Sequence, residues 1–144
     1  MKGKKILFRA GMIPYLIENG EVVMMFMKPS DTIYGGDQFQ MCKGVVEDDD
    51  ENYRAAALRE GAEELGLRQE NILSVTELGN FLGRTTVFVA KVNDRSPAAF
   101  DTPHYETDEV VWLTCDEYLK IGRELHKDIV QLADQVIRKE EDLD

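Results

Sequence analysis

The chain has 144 residues, with 17 Lys and Arg against 28 Asp and Glu, a formal charge of −11. That length suits one domain spanning 1–144 with a packed core, and 43% hydrophobic with 31% charged residues is the balance of an ordinary globular protein. The acidic excess argues against a nucleic-acid duplex or an anionic membrane surface as partner, yet leaves room for a small anionic ligand where something local reverses the sign.

The N-terminal MKGKKILF is basic, but its apolar run is too short for a signal-peptide core. No stretch approaches the roughly 18 to 20 apolar residues needed to span a bilayer, and a cytoplasmic protein is expected. Residues 5–17 read as a strand interrupted by Gly11 and Pro14, and 21–28 (EVVMMFMK) as a second strand. The Asn19-Gly20 pair between them is a hairpin signal. Residues 29–36 (PSDTIYGG) form a loop, and 38–42 a short extended piece leading to Gly44. An acidic run, 47–51 (EDDDE), precedes a helix over about 52–65 that stops at Gly66. Strands are expected at 72–81, 85–92 and 110–113, with a proline-bearing loop over 93–105. Thr114 and Glu117 have capping-box spacing before a helix near 116–121. A last helix over about 123–139 carries Leu125, Ile129, Leu132 and Val136 as one apolar stripe. That stripe is expected to pack on the sheet, with a homodimer seam as the lesser reading. Strands, a helix, more strands and terminal helices suggest an α+β or α/β layered domain, α+β being the expected class.

Cys42 and Cys115 are too few for a disulfide framework and read as buried thiols. His104 and His126 are isolated, without zinc-type spacing, and His126 reads as a surface or helix-end charge.

The chemistry concentrates in residues 44–67, GVVEDDDENYRAAALREGAEELGL. At 100° per residue Leu58, Ala62 and Leu65 form one stripe, expected to face the core, while Glu60, Glu63 and Glu64 crowd together on another face. On spacing alone such a cluster is a solvated face. Like charges so placed repel, and a divalent cation with oxygen ligands offsets the repulsion.

The pattern resembles the Nudix box, G-x5-E-x7-R-E-U-x-E-E-x-G-U, with U aliphatic. Gly44, Glu51, Arg59-Glu60, Glu63-Glu64 and Gly66-Leu67 match it in order, over 24 of 144 residues. The flanking FQMCKG and EVVWLTCDE also resemble the family. Two departures stand out. Six residues rather than five separate Gly44 from Glu51, read as one extra residue in the acidic loop, and Gly61 occupies the aliphatic position. A mid-helix glycine costs about 0.5–1 kcal/mol relative to alanine, and here it either leaves a gap or permits a close approach.

The resemblance implies an α/β/α layered fold, a mixed central sheet with the box helix on one side and the C-terminal helices on the other. It implies hydrolysis of a nucleoside diphosphate linked to another moiety, a nucleotide or dinucleoside polyphosphate, with Mg²⁺ or Mn²⁺. By position Glu60, Glu63, Glu64 and the Gly44 carbonyl would hold metal; Glu60, Glu64 and Arg59 would form the catalytic group, with Glu60 the first candidate for the base. Glu106 and Glu109 are alternative bases, and an Arg59–Glu51 ion pair would hold the loop to the helix. For substrate contact, Lys43, Arg9 and Arg84 are the phosphate candidates, and Phe39, Tyr34, Phe81 and Tyr105 the stacking candidates. The alternative reading is a catalytically weak module of the same fold that binds a nucleotide or protein partner.

Overall fold

A strand that is apolar on both faces belongs in the middle of a sheet, and Arg9–Glu18 (β1) takes that place. The computed structural model describes residues 7–31, 33 and 37–143. There β1 is followed by β2 (Glu21–Pro29), β3 (Cys42–Val45), α1 (Tyr53–Leu65), β4 (Ile72–Phe81), β5 (Thr85–Val92), β6 (Thr107–Leu113), α2 (Cys115–Ile121) and α3 (Lys127–Glu140). The sheet order is β4-β5-β1-β2-β6, with β3 beside β1; β1 and β5 run parallel and the other pairs antiparallel. Asn19 and Gly20 both have positive φ, as a tight hairpin turn between β1 and β2 requires.

Gly11 and Pro14 do not interrupt β1. Residues 9–12 pair with β3 and residues 15–18 with β2 along the same edge, so Ile13 and Pro14 fall at the switch between partners. A residue without an N–H is tolerated where that edge asks for no ladder bond. Just before β3, Gln40 still bridges to Met27 of β2.

Alternation along the strands makes two cores. Ile13, Tyr15, Met24 and Phe26 face α2 and α3, while Ala10, Met12, Met25 and Cys42 lie under α1. The result is the expected mixed sheet between α1 on one face and the C-terminal helices on the other. Thr114 and Glu117 form the capping box that opens α2. The last helix begins at Lys127, after a 3-10 turn, and buries Ile129, Val130, Ala133 and Ile137. Leu125 is exposed, so the stripe drawn through Leu125, Leu132 and Val136 is corrected by about one residue of rotation. Cys42 is buried, whereas Cys115 is only half-buried. No helix among the described residues is long and apolar enough to cross a membrane.

Asn52 caps α1 by accepting the Ala55 N–H at 2.8 Å, and Gly66 ends it in the left-handed region at φ 73. Its buried face consists of Ala56, Ala57, Glu60, Gly61 and Leu65. Ala62 is exposed and Leu58 half-buried, so the expected Leu58–Ala62–Leu65 stripe is not the inner face. Small residues let the helix sit close to the sheet. A Cβ on Gly61 would lie 3.1 Å from Leu67 Cδ2 and 3.2 Å from Met12 Cγ, so the missing aliphatic side chain leaves no gap. Gly61→Leu, which restores the aliphatic type, is therefore expected to destabilise the fold by about 1–3 kcal/mol through overpacking. Urea unfolding checks this, and an unchanged or raised midpoint would show that the helix can move away without cost.

Candidate active site

Arg59 organises the loop before α1. Its Nε and Nη2 donate to the two Asp50 carboxylate oxygens at 3.0 Å, a bidentate pair, and Nη2 also donates to the Val45 carbonyl at 3.1 Å. Nη1 donates to Glu60 at 3.2 Å and to Glu63 at 3.4 Å. Asp50 in turn accepts the Glu47 N–H at 2.8 Å, which closes the loop on itself. Hydrogen bonding to Asp50 raises the Arg59 pKa, and the same contact holds the Asp50 carboxyl below its usual range. Among the described residues Glu51 makes no ion pair with Arg59, and it is exposed. The expected Arg59–Glu51 pair is thus replaced by Arg59–Asp50. Gly44 to Asp50 keeps the five-residue spacing, and the additional residue, Glu51, lies at the entry to the helix.

Glu60 is 7% exposed. It fills the space above Gly44, where any Cβ would meet its carboxylate. Burial raises its pKa against the pull of Arg59. Glu64 is half-buried beside it: burial and the neighbouring Glu60 push its pKa up to about 7, although it hydrogen-bonds the Cys42 thiol and accepts the Lys43 N–H at 3.2 Å. Glu63, on the outer side, is exposed. As they stand, no three His, Cys, Asp or Glu side chains among the described residues converge on a metal-sized point, because Arg59 stands between Glu60 and Glu63. The donor chemistry nevertheless suits a hard divalent ion, with three carboxylates within one and a half turns and two of them desolvated.

These carboxylates line one wall of a cleft of about 520 Å³. Arg9, Gln40, Lys43 and Arg123 line another part of it, and His104 and Glu106 a third. The loop carrying His104 and Glu106 is tied to the end of α1: the N–H groups of His104 and Asp101 donate to the Glu63 and Gly66 carbonyls at 2.6 and 2.8 Å. The Thr107 hydroxyl donates to the Glu64 carbonyl at 2.8 Å. Three hydrogen bonds thus tie the loop to the last carbonyls of the helix.

Glu60, Glu63, Glu64, Gly44, Arg59, Lys43, Arg9 and Glu106 thus meet at the cleft. Glu109 does not; it lies 3.9 Å from Lys28 on β6. Arg84 is exposed at the β4–β5 turn, away from the cleft lining. Phe39 and Phe81 pack against the α3-side core, Lys28 lying 4.8 Å above the Phe39 ring. Tyr105 is exposed and stacks on His104 at 4.1 Å, and Tyr34 lies outside the described residues. Sequence reasoning did not find Arg123 or Gln40: Arg123 reaches the cleft because the chain crosses back after α2, and Gln40 is placed there by its bridge to Met27 of β2. Nor is His126 a surface charge. It is fully buried, its Nδ1 accepts the Met41 N–H at 3.3 Å, and burial together with Lys43 and Arg123 lowers its pKa from 6.5 to about 3.

Residues 8–133 match the family model of the NUDIX domain. A C. elegans Ap4A hydrolase binary complex superposes with a TM-score of 0.72 at 17% identity, covering 93% of this chain and 99% of that one. The NUDIX domain of Shewanella oneidensis NrtR complexed with ADP ribose gives 0.71 at 12% identity, covering 94% and 90%. A Nudix hydrolase from M. smegmatis, RenU, gives 0.67 at 15% identity, covering 94% and 85%. No curated protein matches the chain.

Asp50→Asn is expected to lower the unfolding free energy by about 1–2 kcal/mol, and Glu51→Gln to change it by less than about 0.5 kcal/mol. Chemical denaturation of both variants would reverse the assignment if the larger loss fell on Glu51. His126 supplies a pH signature. Its folded-state pKa lies below that of the unfolded chain, so the unfolded chain takes the proton first and stability is lost as pH falls from 6.5 toward 3. The slope contributed by this one group is at most about 1.4 kcal/mol per pH unit. Unfolding titrations between pH 7.5 and 4.5 should show it in the parent and not in His126→Gln.

Proposed function

The chain belongs to the NUDIX family, hydrolases of phosphoanhydride bonds, and on that premise we propose that it is a divalent-metal-dependent pyrophosphohydrolase. Its substrate class is a nucleoside diphosphate linked to another moiety, a nucleotide or dinucleoside polyphosphate. The observation that carries this reading is the placement of Glu60, Glu63 and Glu64 on one wall of the cleft, with Gly44 leaving room for the Glu60 carboxylate and three cations elsewhere in the same cleft. An Ap4A hydrolase and an ADP-ribose-bound domain among the similar folds support the substrate class.

Glu60, Glu63, Glu64 and the Gly44 carbonyl would hold Mg²⁺ or Mn²⁺, which supplies charge neutralisation of the pyrophosphate and a more acidic water. Arg59 keeps the loop bearing Gly44 against the helix through Asp50 and Val45, and its Nη1 yields its contacts to Glu60 and Glu63 when those carboxylates are needed. Glu60 takes the proton as a water oxygen bonds to phosphorus and the anhydride P–O bond breaks. Glu106, carried into the cleft by the loop tied to α1, is the competing base.

Phosphate release from a panel of nucleoside triphosphates, dinucleoside polyphosphates and ADP-ribose is expected only with Mg²⁺ or Mn²⁺. Glu64→Gln is expected to keep the fold and lose on the order of 10²–10⁴-fold in turnover. A Glu64→Gln variant as fast as the parent sinks the assignment of that residue. Tight nucleotide binding with no turnover in either metal favours a binding module instead.

A further inference from the structure

Most of the half-buried cations among the described residues of this acidic chain are paired. Among the described residues Lys28, Arg59, Arg68, Lys91, Arg95, Lys127 and Arg138 are half-buried, and each lies within ion-pair distance of a carboxylate. Three half-buried cations break the rule. Arg9, Lys43 and Arg123 have no carboxylate within 4.0 Å among the described residues, and all three line the cleft that holds Glu60 and Glu64.

The fold brings them together. Lys43 is opposite Gly11 in the β1–β3 ladder, and Arg9 is two residues along, so both side chains leave the same face of the sheet. That is the face on which α2 and α3 pack, opposite α1. Arg123 arrives from the α2–α3 connection: its N–H donates to the Phe39 carbonyl at 2.8 Å, and its Nη1 to Gln40 Oε1 at 2.7 Å. Gln40 is neutral, so this bond orients the guanidinium without discharging it. Three cations without an ion-pair partner among the described residues, gathered in a half-buried place, repel one another and favour an anion between them.

We propose that Arg9, Lys43 and Arg123 form an anion subsite for a phosphate beyond the scissile pyrophosphate, so that the substrate carries a chain of three or more phosphates. This rests on the hydrolase reading above. The carboxylate wall takes the scissile pair through its cation, and the basic trio, across the sheet edge, takes the next phosphate. A two-phosphate compound such as ADP-ribose has a neutral sugar to offer there. Guanidinium forks and an ammonium suit phosphate oxygens.

The test compares KM and kcat for a nucleoside triphosphate, a dinucleoside tetraphosphate and ADP-ribose. Arg9→Gln is the cleanest variant, since among the described residues its side chain makes no hydrogen bond or ion pair that the substitution would break; Arg123→Gln accompanies it. Each is expected to raise KM for the two polyphosphates roughly 10- to 100-fold, with kcat within about threefold and ADP-ribose changed less than about threefold. Lys139→Gln, the same charge lost from an exposed helix end, should alter none of these. Equal losses on all substrates, or no loss, overturn the subsite. A parent that hydrolyses ADP-ribose and spares both polyphosphates also overturns it, while the hydrolase reading stands. If the parent hydrolyses nothing, the hydrolase reading falls and calorimetry with inorganic tripolyphosphate decides: binding weakened in both variants upholds the subsite, and unchanged or undetectable binding rejects it.

Discussion

The structure depends on one guanidinium. Arg59 spends its donors on Asp50, Val45, Glu60 and Glu63, and so joins the loop after β3 to the helix that follows it. Placing Glu60 and Glu64 beside each other in a largely desolvated wall is costly, because like charges repel there with little screening. Arg59 compensates part of that charge at short range. The remainder is left in the cleft, and the proposed metal dependence rests on it.

The second constraint is thickness. Ala56, Ala57 and Gly61 give α1 a thin inner face, Gly44 gives the sheet a thin outer one, and the Glu60 carboxylate occupies the clearance between them. A glycine that looks like a defect in an aliphatic position is therefore part of how the helix reaches the sheet. Contacts from residues 101–107 to the Glu63, Glu64 and Gly66 carbonyls then fix the other end of the helix. Both ends of the carboxylate array are held by hydrogen bonds in addition to the apolar packing of Ala56, Ala57 and Leu65.

Charge is segregated around the cleft by the sheet itself. Adjacent residues on a strand point to opposite faces, so Lys43 turns toward the α2–α3 side while Cys42 and Gly44 lie under α1. One residue of register separates the acidic wall from the basic one. His126, buried and neutral behind Met41 and near Lys43 and Arg123, supports that basic side without adding charge to it.

Local order was largely legible before any coordinates. The hairpin at Asn19-Gly20, the Gly66 stop, the Thr114–Glu117 box and the 72–81 and 85–92 strands rest on short-range chemistry, and contiguous residues suffice to specify it. The box spacing likewise gathered Glu60, Glu63 and Glu64 on one helix and pointed to metal-assisted phosphate chemistry. Other features needed the folded chain. Pro14 sits within a strand because the edge partner changes at that residue; Asp50 rather than Glu51 meets Arg59 because the loop closes on itself; His126 is buried because it completes the Met41 backbone. Arg123 reaches the cleft from 58 positions beyond the end of the box helix at Leu65. Sequence determines what neighbouring residues do to one another, since their separation is fixed by covalent geometry. Which distant charges share a low-dielectric pocket, and hence what the cleft can hold, is decided only when sheet register and helix packing set the distances.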